Sequence, residues 1–251
     1  MAVAVQHSSY SARMELEADL SRMAAQVESN LASAILAFER RDLAVSKRLI
    51  DADARIDEYD RDIEAKVITI LGEGALPKEA LLEVMTVMKL AGELERVGDL
   101  AKNVAKRTLV VSQSAPTRPT AGVIRMGRVC LRQFSDILNA YSDRNLSAAK
   151  AVWRGDDELD ELYNSVFQDV LQAMMEDAGT VNACTHLVFI AKNFERVGDH
   201  ATNIAEAVHF VMTGSPIMEE RPKGDETSSI AIELPEKKML LAFKPVDGDN
   251  A

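Results

Sequence analysis

The sequence predicts an all-α protein made of two tandem three-helix bundles, six long helices in all, and three observations carry that prediction. Hydrophobic residues make up 47% of the 251-residue chain, while only 5% of residues are aromatic and seven are proline. That mixture suits long aliphatic helix interfaces better than sheets. Leu90, Leu94, Val97, Ala101, Val104, Thr108 and Val111 follow the alternating 3–4 spacing of a bundle seam. The seam returns 100 residues later as Ile190, Phe194, Val197, Ala201, Ile204, Val208 and Val211.

The elements follow in order. A first helix is expected from about Ser11 to Arg40 and a second from Asp42 to Leu71. Gly72-Glu73-Gly74 ends it, and Pro77 suits the first turn of a third helix. Residues 113–120 hold two prolines among small polar residues and read as a linker. The scheme then restarts, with a fourth helix over Ala121 to Ser142 and a fifth over Asn145 to Asp177. A turn at Ala178-Gly179 leads to a sixth from Val181 to Met212. The expected division is therefore residues 1–112, the linker, residues 121–214, and a flexible tail over 215–251, in which only Met239 to Phe243 is apolar enough to dock.

The duplication is visible residue by residue. Glu95-Arg96-Val97-Gly98-Asp99 recurs as Glu195-Arg196-Val197-Gly198-Asp199, and nine of fifteen positions between Ala91 and Ala105 are repeated 100 residues on. A supersecondary unit occurs twice.

Charge bounds the function. Forty acidic residues against 29 basic ones leave a net −11, which repels phosphate backbones and argues against nucleic-acid binding. Cations, or a basic surface on another protein, fit better. Cys130 and Cys184 have no close pairing and read as buried thiols rather than a disulfide or zinc framework. No apolar run reaches the ~20 residues of a membrane span, and the start lacks a signal-peptide pattern, so a cytoplasmic protein is expected.

The residues that carry chemistry are acids. Glu95 and Asp99 lie one turn apart on one helix face, outside the seam, with Asn103 continuing the row. Glu195, Asp199 and Asn203 repeat the arrangement. Asp53 and Asp57 on the second helix are matched by Asp156 and Asp160 on the fifth. Like charges at this spacing, and a glycine in mid-helix, each destabilise a helix. The residues alone leave two readings open. The acids form a solvated face paired weakly with Arg96 and Arg196, or they converge on a hard cation. Gly98 correspondingly either opens room beside the acids or lets two helices close up. His186, His200 and His209 read as amphipathic bundle residues, with His200 beside Asp199 the best placed to assist a metal.

With these residues assembled, the chain resembles the PhoU family over about residues 10–215. The match is best at Glu95–Lys106 and His186–Glu206, where His186-Leu187-Val188-Phe189-Ile190-Ala191 leads into the second pentapeptide. The resemblance implies two three-helix bundles that hold divalent or trivalent metal (iron, zinc, manganese or magnesium) on Glu/Asp-x-x-x-Asp motifs. The implied ligands are Asp53, Asp57, Glu95 and Asp99 in the first half and Asp156, Asp160, Glu195 and Asp199 in the second. Asn103, Asn203 and His200 would be their neighbours. It further implies a regulator that is no enzyme, one that restrains the phosphate-starvation response and phosphate uptake. Its contacts would be a phosphate ABC transporter, through the ATPase subunit, and a sensor histidine kinase, with peripheral membrane association through those partners and a possible homodimer. Two departures stand out: Ala80-Leu81-Leu82 replaces the family's frequent Asp-Leu-Arg, and Lys192 stands where arginine is common. The rival readings are a metal-free helical adaptor and a ferritin-like di-metal enzyme. The latter needs two Glu-x-x-His motifs, and only Glu206…His209 is present.

Overall fold

The computed structural model describes residues 2–155, 157–219 and 221. Helices α1 (Ala2–Arg40), α2 (Leu43–Ala52), α3 (Ala54–Gly72) and α4 (Lys78–Val111) build the first unit. Helices α5 (Thr120–Ser142), α6 (Leu146–Arg154), α7 (Asp157–Glu176) and α8 (Val181–Thr213) build the second, with a single 3-10 turn at Ala178–Thr180. Among the described residues there is no β-strand. The protein is all-α and built of two three-helix bundles, as the periodicity predicts. The middle helix of each bundle is divided, however, and the first helix starts at Ala2 rather than Ser11.

The divisions have local causes that hydrophobic periodicity does not register. At Asp53 the carbonyl accepts from Ile56 N at 2.8 Å as well as Asp57 N at 3.3 Å, a 3-10 tightening that divides α2 from α3 while Asp53 keeps helical dihedrals. At Gly155 the amide bonds back to the Ala151 and Val152 carbonyls, and the Gln133 amide donates to the Gly155 carbonyl at 2.8 Å. A buried glutamine thus satisfies a helix end that would otherwise carry an unpaired acceptor.

The repeat extends to the turns. Arg41 and Arg144, the two non-glycine residues with positive φ among those described, have φ of 57° and 48°. Each is followed by a capping residue. Asp42 accepts from the Ala44 and Val45 amides at the start of α2, and Asn145 from the Ala148 amide at the start of α6. Asp42 N reaches back to the Ala37 carbonyl and Asn145 N to the Ala140 carbonyl. Both helix ends therefore close through a left-handed residue, and both followers start on an Asx cap.

Helices α4 and α8 sit back to back at the centre. Each packs on the helices of its own unit and on the other. One contiguous apolar cluster runs through both units, containing every seam residue of α4 except the equally buried Thr108, and every seam residue of α8 except the half-buried Val211. The start of the tail turns back along the second unit. His209 Nδ1 donates to the Ser215 carbonyl at 3.0 Å, and Arg154 pairs with Glu219 at 3.0 Å. The Met239–Phe243 segment lies outside the described residues.

Candidate functional site

Gly98 brings the acidic helices together. A Cβ there would stand 2.8 Å from Ile56 Cδ1 and 3.3 Å from its Cγ2, so the missing side chain is filled by Ile56 of α3. This decides the role of that glycine: it lets α3 close onto α4, which brings the acids of the two helices to one seam.

In the first unit, Lys102 Nζ bonds both Asp53 Oδ2 and Asp99 Oδ1. Asp53 is 7% exposed and Asp99 half exposed. Burial opposes the ammonium, but its bonds to the two carboxylates outweigh that and hold Lys102 above the usual lysine range. The chain thus supplies a cation between one acid of each predicted pair. Around Glu95 the balance is different. Its carboxyl is raised, first by burial and then by the charges of Asp99, Asp60 and Asp57, with Arg96 opposing. Asp60 is raised by burial and by its neighbours Glu64 and Asp57. Asp57, Asp60, Glu95 and Asp99 therefore share one negative field.

Asp60 and Glu64 were not among the predicted residues. Their signal was present, because they continue Asp57 at the i+3 and i+4 steps of one helix face.

The second unit departs from the first at the same steps. Tyr163 and Phe167 stand where Asp60 and Glu64 would repeat, and Thr202 stands where Lys102 would. A different cation appears in compensation. Lys192 Nζ lies 3.0 Å from Glu195 Oε1 and 4.8 Å from the Tyr163 ring centroid, and Arg221 from the tail pairs with Asp199 at 2.6 Å. Glu195 is only 8% exposed, and its Oε2 has no hydrogen-bond partner. Burial raises its carboxyl; Lys192 lowers it, and Asp199 and Asp160 raise it again. Asp160 is 6% exposed. The expectation that the pentapeptide acids lie outside the core is thus corrected for Glu195, and Asp53 and Asp160 are likewise covered by neighbouring helices. Asp156 lies outside the described residues.

His200 and Asn203 serve another contact. His200 Nδ1 lies 2.7 Å from Glu93 Oε2, and the Asn203 amide donates to the same oxygen at 3.1 Å. These two α8 residues tie the second unit to α4, with Glu93 held below the usual range because those bonds and the His200 charge outweigh its burial. Asn103 is half-buried. Glu206 accepts from the Trp153 indole at 3.2 Å, so with His209 bonded to Ser215 the lone Glu-x-x-His motif is engaged in structural bonds. Among the described residues, no three Asp, Glu, His or Cys side chains are gathered closely enough to hold a metal ion. The donor chemistry still suits a hard cation: a buried, unpartnered Glu195 oxygen in one unit and a mutually repelling carboxylate set in the other.

A cavity of about 310 Å³ opens elsewhere, between the units. Glu17 on its wall accepts from the Tyr141 hydroxyl at 2.9 Å and is raised chiefly by burial.

The fold and these acids define a helical-bundle protein whose two halves each pair an acidic motif on a central helix with acids on the helix beside it. The PhoU domain model matches the chain twice, over residues 20–108 and 123–208. A phosphate-specific transport system accessory protein PhoU homolog of Caulobacter vibrioides is 40% identical over 85% of this chain and 93% of its own length. The homolog of Rhizobium meliloti is 38% identical over 84% and 90%. Crystal structures of PhoU from Pseudomonas aeruginosa (TM-score 0.80, 24% identity, 82% of this chain and 99% of that one) and of the phosphate transport system regulatory protein PhoU from Streptococcus pneumoniae (TM-score 0.75, 23%, 82% and 97%) share the fold. The chain belongs to the PhoU family. Among the described residues no helix is long and apolar enough to cross a membrane.

Proposed function

We propose that this protein is a cytoplasmic negative regulator of the phosphate-starvation response and of phosphate uptake. It acts by contact with the ATPase subunit of a phosphate ABC transporter and with a sensor histidine kinase. The observation that carries this reading is the near full-length likeness to proteins named as accessory to phosphate-specific transport. Long rigid helices around a shared core suit a protein that works through its surface. Deleting the gene should derepress a phosphate-starvation reporter in high phosphate. A reporter that stays silent overturns the reading.

The carboxylate clusters form the second part of the proposal. A divalent or trivalent cation, of the iron, zinc, manganese or magnesium kind, would be held by Asp53, Asp57, Glu95 and Asp99 in one unit and by Asp156, Asp160, Glu195 and Asp199 in the other. The cation would neutralise the repulsion that the acids now share. The unpartnered Oε2 of buried Glu195 supports it, since such an oxygen is costly without a partner. Elemental analysis of protein purified without chelators should find metal, and Glu95→Gln with Asp99→Asn should lower it while helicity is kept. Unchanged metal content in the double variant removes the assignment.

A further inference from the structure

We propose that one end of the molecule, formed by the α1–α2 turn, the end of α4 and the start of α5, docks directly on an anionic phospholipid surface. Three contacts put these segments at one end. The Arg41 guanidinium donates to the Val111 carbonyl at 3.0 Å, tying the end of α1 to the end of α4. Arg128 of α5 pairs with Glu39 of α1 at 2.5 Å. Arg107 of α4 donates to His186 Nδ1 near the start of α8 at 3.3 Å.

Around that end lie Arg40, Lys47, Arg48, Lys106, Arg118 and Arg125, all exposed. Among the described residues none of the six has an ion-pair partner. Of the acids beside them, Glu39 is paired with Arg128, while Asp42 accepts from the amides that open α2 and keeps its charge. Asp51, one turn further along α2, pairs with neither Lys47 nor Arg48 among the described residues. Six exposed cations against the charges of Asp42 and Asp51 leave a local positive excess on a chain whose net charge is −11. An anionic surface would attract this end and repel the rest, so the field itself sets the orientation.

Lipid, rather than an acidic protein, is favoured by what accompanies the cations. Leu36 and Leu43 are each 43% exposed. Leu36 lies one turn before Arg40 on the same face of α1, and Leu43 one turn before Lys47 on α2. Paired exposed leucines and cations are the interfacial pattern, in which the leucines enter below the headgroups and Lys or Arg meet the phosphates. This contact does not depend on any protein partner.

The test is co-sedimentation of the full-length protein with phosphatidylcholine vesicles, with and without phosphatidylglycerol. Binding is expected to the anionic vesicles alone and to fall away in high salt. Lys47→Glu with Arg48→Glu should weaken it roughly tenfold or more. The same charge change at Lys78 and Lys150, outside the patch, should leave it near the wild-type level. Leu36→Ser with Leu43→Ser should weaken binding while its salt sensitivity persists. All these positions are exposed or half-buried, and circular dichroism verifies folding. No vesicle binding, equal binding to neutral vesicles, or equal loss in both charge variants overturns the proposal. Capture on immobilised polyglutamate without vesicle binding also overturns it, in favour of an acidic protein surface.

Discussion

Replacing Lys102 with methionine removes one charge and keeps most of the aliphatic stem. Lys102 holds two carboxylates of unequal burial: the Asp53 side chain is 9% exposed and that of Asp99 48%. A charge-assisted bond to a buried acceptor contributes about 1.5–3 kcal/mol, whereas a half-exposed pair contributes about 0–1 kcal/mol. The lysine is itself 21% exposed, so the sum belongs toward the middle, about 2–3 kcal/mol lost in Lys102→Met at neutral pH. Leaving Asp53 buried without a counter-charge is the larger share. Urea unfolding followed by circular dichroism reads this directly. Added manganese or magnesium should restore part of the stability if a metal can take the place of the ammonium, since a ligand that binds only the folded state stabilises it. A loss below about 0.5 kcal/mol would refute the claim that Lys102 neutralises a buried carboxylate.

Two other outcomes follow from the same seam. The Glu195 carboxyl is held above the ordinary range, so the folded state keeps its proton more tightly than the unfolded one. Stability should therefore decline as pH climbs from the ordinary glutamate range through the raised value. Glu195→Gln should flatten that decline in urea melts across pH, and an unaltered slope would count against it. Gly98→Ala gains the ~1 kcal/mol helix preference of alanine but drives a Cβ to 2.8 Å from Ile56 Cδ1, an overpacking cost of about 1–3 kcal/mol. A net loss near 1 kcal/mol is expected, relieved by Ile56→Val. Gly92→Ala, where a Cβ meets nothing within 4 Å, should stabilise; equal effects at the two glycines would contradict the packing argument.

Much of this architecture is legible in the chain itself. The 3–4 spacing on α4 and α8 marks residues that are buried, Val211 alone being half-buried, because helical periodicity is a local property that needs no partner to be read. The repeated pentapeptide likewise announces two equivalent units, and the structure carries that equivalence down to Arg41-Asp42 and Arg144-Asn145. Asp60 and Glu64 could have been found by extending the face of Asp57 two further steps.

Other features depend on which helix lies against which. Nothing near Asp53 in sequence says that it is buried, since its cover and its counter-charge come from α4 through Lys102. The tail's Arg221 reaches Asp199 across a turn with no periodic signature. His200 and Asn203, expected beside the acids of their own helix, engage Glu93 of the other unit. Helix and repeat are properties of neighbouring residues and can be read along the chain. The pairing of charge with charge is a property of distances between segments far apart along the chain, and those distances exist only once the helices have packed, within each bundle for Asp53 and across the two for Glu93.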